Sequence, residues 1–91
     1  MRITLDLGDD DDQEWLDAHL AAKGLGLPDV LAVAGSSVAR RKGRRIYAYG
    51  RGLGGQPVVI VLMRTGIGWR PRTAWRMDEV ERRWWRGHGG R

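Results

Sequence analysis

The sequence predicts a small α+β domain, an antiparallel sheet flanked by helices in the order β-α-α-β-β-β-α. Three observations predict it. Residues 58–63 (VVIVLM) are an unbroken run of strand formers, apolar on both faces, as a central strand requires. Short segments before and after it alternate in polarity with a period of two. Two segments, after Asp9 and after Asp78, open with acidic residues and continue with apolar residues at helical spacing.

The chain has 91 residues, which is one domain with a thin core. It has no Cys, so disulfides and thiolate metal sites are excluded. Five Trp and no Phe leave Trp to supply most of the aromatic packing. The N-terminus turns acidic where a secretory signal needs an apolar stretch, and the run 58–63 is far too short to span a bilayer. A cytoplasmic protein with no membrane partner is therefore expected. Residues 1–34 carry two basic and eight acidic groups, whereas residues 35–91 carry fourteen basic and three acidic groups. An excess of +11 in the longer part suggests a polyanion partner, beyond what neutralisation by the acidic part would need.

Residues 2–7 alternate with Ile3, Leu5 and Leu7 on one side, a half-buried strand that Gly8 ends. Asp9 to Asp12 lack the spacing of a calcium loop and suit a helix N-terminus, where carboxylates meet the positive end of the dipole. Trp15, Leu16, His19 and Leu20 follow at helical spacing, with Lys23 and Gly24 as stop signals. His19, on or beside that apolar face, reads as a packed residue rather than a ligand. Pro28 suits the first turn of a second, mostly buried helix over 29–34.

Residues 40–45 (RRKGRR) are the densest basic cluster and read as a loop feeding the strand 45–50. Alternation places Tyr47, Tyr49 and Arg51 on one face, with Ile46 and Ala48 on the other. Basic groups including Arg44 and Arg45 beside Tyr rings suit nucleic acid, where rings stack on bases and Arg meets phosphate. Residues 50–55 match G-x-G-x-x-G, but a strand rather than a helix follows, so they read as a hairpin loop.

After a turn at 65–68 the next strand again alternates. Trp69, Pro71, Thr73 and Trp75 share one side, and Arg70, Arg72, Ala74 and Arg76 the other. Pro71 has no N–H to give, so this strand is expected at an edge or with a non-bonded position there. Three Arg are costly to bury, so their side is expected to face outward. Asp78 then caps the last helix with Glu81 as capping-box partner, and Met77, Val80 and Trp84 form its apolar face, Trp85 beside it. Residues 86–91 are expected to fray.

Several residues carry a likeness to a known family. Residues 19–25 (HLAAKGL) close the first helix, and Gly50-Arg51, Gly55, residues 58–61 and Gly66 keep a recurrent spacing in the meander. The closing segment 73–85 (TAWRMDEVERRWW) follows the pattern S-A-R-x-A-T-x-x-E-R-x-x-Y, with Thr73 for Ser, Asp78 for the capping Thr, Glu81-Arg82 for Glu-Arg and Trp85 for Tyr. Trp75 falls where the pattern has its Arg, with Arg76 beside it. From about Trp15 to Arg86 the chain thus resembles the BrnT-type toxins of the RelE-like ribonuclease superfamily.

That resemblance implies a single domain over 1–91 acting as a toxin. It would be an endoribonuclease without metal or other cofactor, held inactive by a cognate DNA-binding antitoxin. Cleavage of this kind needs a base for the 2′-OH, an acid for the departing 5′-oxygen and cations for the charge on phosphorus. Arg76, Arg72, Arg51 and Tyr49 are the catalytic candidates, and Arg44, Arg45, Tyr47, Arg64 and Arg70 the candidates for holding RNA. The alternative from a different class is a protein that binds RNA, DNA or the ribosome through the same Arg/Tyr face without cutting.

Overall fold

The computed structural model describes residues 3–91. Its elements run α1 (Asp10–Ala21), α2 (Leu27–Gly35), β1 (Val38–Lys42), β2 (Arg45–Arg51), β3 (Pro57–Arg64), β4 (Trp69–Arg76) and α3 (Glu79–Gly87). The four strands form one antiparallel meander in the order β1-β2-β3-β4. This is a small α+β domain of two N-terminal helices, a sheet and a C-terminal helix. None of the helices among the described residues is long and apolar enough to cross a membrane.

Each helix start follows from its sequence. The Asp9 carboxylate accepts from the Asp12 N–H at 2.9 Å, and the Asp12 carboxylate accepts from the Asp9 N–H at 3.1 Å. Asp78 and Glu81 repeat this reciprocal box at α3, with distances of 2.8 and 2.9 Å. At α2 the Asp29 carboxylate accepts from the Gly26 N–H at 2.9 Å. Its other oxygen takes the Leu53 N–H and the Gln56 amide, tying the helix to the β2–β3 loop.

Alternation along the strands divides the packing between two faces. Ile46, Ala48, Val58, Ile60, Leu62 and Ala74 pack against Leu16 and Leu20 of α1 and Val30 and Val33 of α2. Tyr49 and Val59 pack on the opposite face with Met77 and Trp85. At Gly50 the end of α2 lies close against the sheet: a Cβ there would lie 2.9 Å from the carbonyl oxygen of Ser36, the residue that caps the helix. As expected, β3 is central and almost wholly buried, and β4 is an edge.

Four expectations fail. First, the N-terminal strand is reduced to one parallel bridge, Leu5 with Trp69. Two hydrogen bonds hold it, from Asp6 N–H to the Trp69 carbonyl and from Trp69 N–H to the Thr4 carbonyl. Arg2, its expected first residue, lies outside the described residues. Second, the basic cluster is a strand and not a loop. Arg40, Arg41 and Lys42 belong to β1, and Gly43, at φ +61°, turns the chain into β2. Pairing with β2 supplies the backbone bonds that this exposed edge segment could not justify by hydrophobic pattern.

Third, Val80 is 72% exposed while Trp85 is 3% exposed, so α3 is rotated from the expected phase. Burying a Trp removes far more apolar area from water than burying a Val. Fourth, the terminal residues fold back instead of fraying. The Gly90 N–H donates to the Trp85 carbonyl at 2.8 Å, and the His88 ring stacks on Trp84 with centroids 4.2 Å apart.

Candidate nucleic-acid interface

The expected outward row of Arg70, Arg72 and Arg76 does not form. In the β3–β4 pairing Val61 faces Thr73 but Leu62 faces Pro71, which leaves Arg72 as the extra residue of a bulge. One inserted residue breaks the alternation on which the row depended. Arg70 turns to the acidic N-terminal segment, its guanidinium 3.3 Å from Asp6 and 3.9 Å from Asp12. The Asp6 carboxyl is held below its ordinary range chiefly by the Thr65 hydroxyl, then by the Gly8 N–H and the Arg70 guanidinium, against an opposing effect of burial. Arg76 reaches across to the end of α1 and donates to the Gly24 carbonyl at 3.4 Å. Arg72 is exposed.

These arginines instead border the seam between α1 and β4, and that seam holds a cluster on which the sequence reading placed no function. Thr73 Oγ1 accepts from the Lys23 ammonium at 2.8 Å and lies 3.2 Å from His19 Nε2. The His19 ring stacks on Trp15, with centroids 5.0 Å apart and planes 8° from parallel. His19 is exposed and Trp15 is 59% exposed. His19 is thus not packed in the core. Trp15 and Arg72 line one shallow cavity together with Arg70, Pro71 and Asp12. Trp15 and His19 stand at i and i+4 on α1 and Lys23 follows four residues later in the turn that ends it, and that spacing was the signal in the sequence.

The expected Arg/Tyr face is the other side of the sheet, and α3 covers much of it. Tyr49 is 5% exposed, its ring 4.6 Å from Trp84. It is a core residue there, with no surface for a base to stack on. Tyr47 is half-buried, edge-on to Trp75 at 6.4 Å and beneath the Lys42 ammonium at 5.7 Å. The Trp75 indole N–H donates to Glu81 at 3.0 Å, which satisfies the polar handle of that ring and leaves it a packing role. Arg44 and Arg45 are exposed around the β1–β2 turn, and Arg64 lies over Trp69 at 5.7 Å. Arg51 lies over Trp85 at 5.2 Å and donates to the Gly55 carbonyl at 2.8 Å and to the Arg91 carbonyl.

The four catalytic candidates are therefore not brought together. Arg72 and Arg76 border the α1–β4 seam, Arg51 stands at the α3 side of the sheet and Tyr49 is beneath Trp84. Among the described residues, Arg70 is the one arginine within ion-pair distance of a side-chain carboxylate. The remaining guanidiniums are left for rings, backbone carbonyls, solvent or an external anion. No protein-family profile, curated protein or solved structure matches the chain.

Proposed function

We propose that this protein is the RNA-cutting toxin of a toxin–antitoxin pair and that it cuts in the seam between α1 and β4. One observation carries the reading: His19 and Lys23 each lie within hydrogen-bond reach of the Thr73 hydroxyl, beside an exposed Trp15 ring. Arg72 and Arg76 flank them. The order of two helices, a meander and a closing helix supports the likeness to BrnT-type toxins.

In this reading a base of the strand stacks on Trp15, as bases do on aromatic platforms. His19 takes the proton of the 2′-OH, whose oxygen attacks the adjacent phosphorus. The bond from phosphorus to the 5′-oxygen breaks, leaving a 2′,3′-cyclic phosphate. The departing oxygen takes a proton from the Lys23 ammonium. Arg72 and Arg76 offset the charge that develops on phosphorus, the part that a metal ion plays in other nucleases. A DNA-binding antitoxin would silence the protein by covering this seam.

His19→Ala should lower cleavage about a hundredfold to ten-thousandfold, the span of general acid–base catalysis, and leave folding intact because the ring is exposed. Lys23→Ala should lower it as well, with RNA binding weakened by the loss of one cation. Expression of the wild-type chain should arrest growth with RNA decay, and His19→Ala should relieve it.

The second reading, RNA binding without cleavage, is favoured by Trp75. It occupies the place of the arginine in the closing pattern, and its indole is committed to Glu81. Intact RNA held with salt-sensitive affinity by the wild-type chain would select that reading.

A further inference from the structure

A second basic surface lies away from the seam. Arg51, Arg82, Arg83 and Arg86 line an open groove of about 560 Å³, together with Pro57 and Glu79. None of the four arginines has a side-chain carboxylate within ion-pair distance among the described residues. Arg51 is held in place by the Gly55 and Arg91 carbonyls and by the Trp85 ring beneath it. Arg82 and Arg86 stand four residues apart on α3, and Arg83 and Arg86 three apart, so like charges meet on one face. The dipole at the end of the helix favours Arg86, and Asp78 and Glu79 stand four residues before Arg82 and Arg83 but outside ion-pair distance, so these guanidiniums are left for an anion laid along the groove.

The chain passes directly from the seam to the groove. Arg76 ends β4 at the seam, and Glu79, a lining residue of the groove, begins α3 three residues later. The Met77 N–H between them donates to the carbonyl of Pro57, another lining residue, at 3.0 Å. The end of β4 at the seam and the start of α3 at the groove are thus three residues apart along the chain.

We propose that this groove holds the phosphodiester backbone of the RNA strand that runs out of the seam, with Arg51, Arg82, Arg83 and Arg86 on successive phosphates. The inference rests on RNA as the target and goes beyond the cutting site. It predicts contacts that depend on strand length and charge and carry no base specificity.

The test is the salt dependence of binding to a 2′-O-methyl oligoribonucleotide, which has no free 2′-OH to attack. One strand is long enough to pass the seam and another is confined to it. Replacing Arg83→Ala and Arg86→Ala together should lower the slope of log K against log salt by about 1.4 for the long strand, at about 0.7 per phosphate released. The short strand should be unaffected, and Arg83→Lys with Arg86→Lys should restore the slope because a lysine still neutralises a phosphate. Both residues are exposed, so the fold is expected to survive, and a thermal melt checks it.

A slope unchanged by the alanine pair overturns the groove. Coupled with undiminished cleavage by the wild-type chain, that result removes the groove alone and points to an acidic protein segment as its occupant. A wild-type chain that shows the slope change but cuts nothing keeps the groove and removes the nuclease. A chain that neither binds nor cuts RNA removes both.

Discussion

The two faces of the sheet are built from different chemistry. Under α1 and α2 the contacts are aliphatic, with Leu16, Leu20, Val30, Val33, Ile60 and Leu62 closing a core that holds almost no polar atoms. Under α3 they are aromatic, with Tyr47, Tyr49, Trp75, Trp84 and Trp85 gathered around Val59 and Met77. Four of the five rings also meet a polar or cationic neighbour: Lys42 over Tyr47, Arg40 over Trp84, Arg51 over Trp85, Glu81 on Trp75. An aliphatic core has only burial to offer, so it sets stability. An aromatic layer is partly wet, tolerates cations at its rim, and leaves those cations available to a polyanion. With no Phe in the chain, every ring in the second layer carries an N–H or O–H.

The sharpest way to break this contrast is to truncate one residue from each face. Leu20→Ala, at a fully buried position, should cost about 3 kcal/mol of unfolding free energy, within the range for leucine truncation in a closed core. Trp84→Ala should cost about 1–2 kcal/mol, although the side chain is larger. It is half-buried, and what it loses is a ring contact with Tyr49 and a cation contact with Arg40. Urea unfolding of the two variants reads both numbers. A Trp84→Ala variant less stable than Leu20→Ala would show that the aromatic layer is the main core.

A smaller effect should appear in acid, on the aliphatic side of the molecule, where Asp6 ties the N-terminal segment to Arg70. Because the folded protein holds this carboxyl below its ordinary value of 3.8, the carboxylate stabilises the fold at all higher pH. That contribution fades once the pH falls below 3.8 and through the lower folded value. The stability difference between the wild type and Asp6→Asn should therefore be constant near neutrality and shrink on acidification below about pH 4. A difference that instead grew in acid would mean that Asp6 is protonated in the folded protein.

Much of the frame was legible because single residues decide it. Residues 58–63 admit no partition into polar and apolar faces, so β3 had to be central. Asp9 with Asp12 and Asp78 with Glu81 mark helix starts by a reciprocal bond that needs only their spacing. Other parts depend on a choice between near-equal local options. β1 has three consecutive basic residues and no alternation, and it exists because Gly43 turns it against β2. The bulge at Arg72 inserts one residue and reverses the parity that set the expected arginine row. In α3, a helix of nine residues, placing Val80 or Trp85 inward differs by a fraction of a turn, and only the area of the tryptophan settles it. His19 was read as packed because it follows Leu16 and precedes Leu20. Trp15 beside it and Thr73 opposite hold it at the surface.

The measurement that bears most directly on the account is the end-group chemistry of RNA incubated with the wild-type chain and with His19→Ala. The account predicts fragments ending in a 2′,3′-cyclic phosphate from the wild type and intact RNA, still bound, with the variant. RNA left whole by the wild type, or cut by His19→Ala at an undiminished rate, would contradict it.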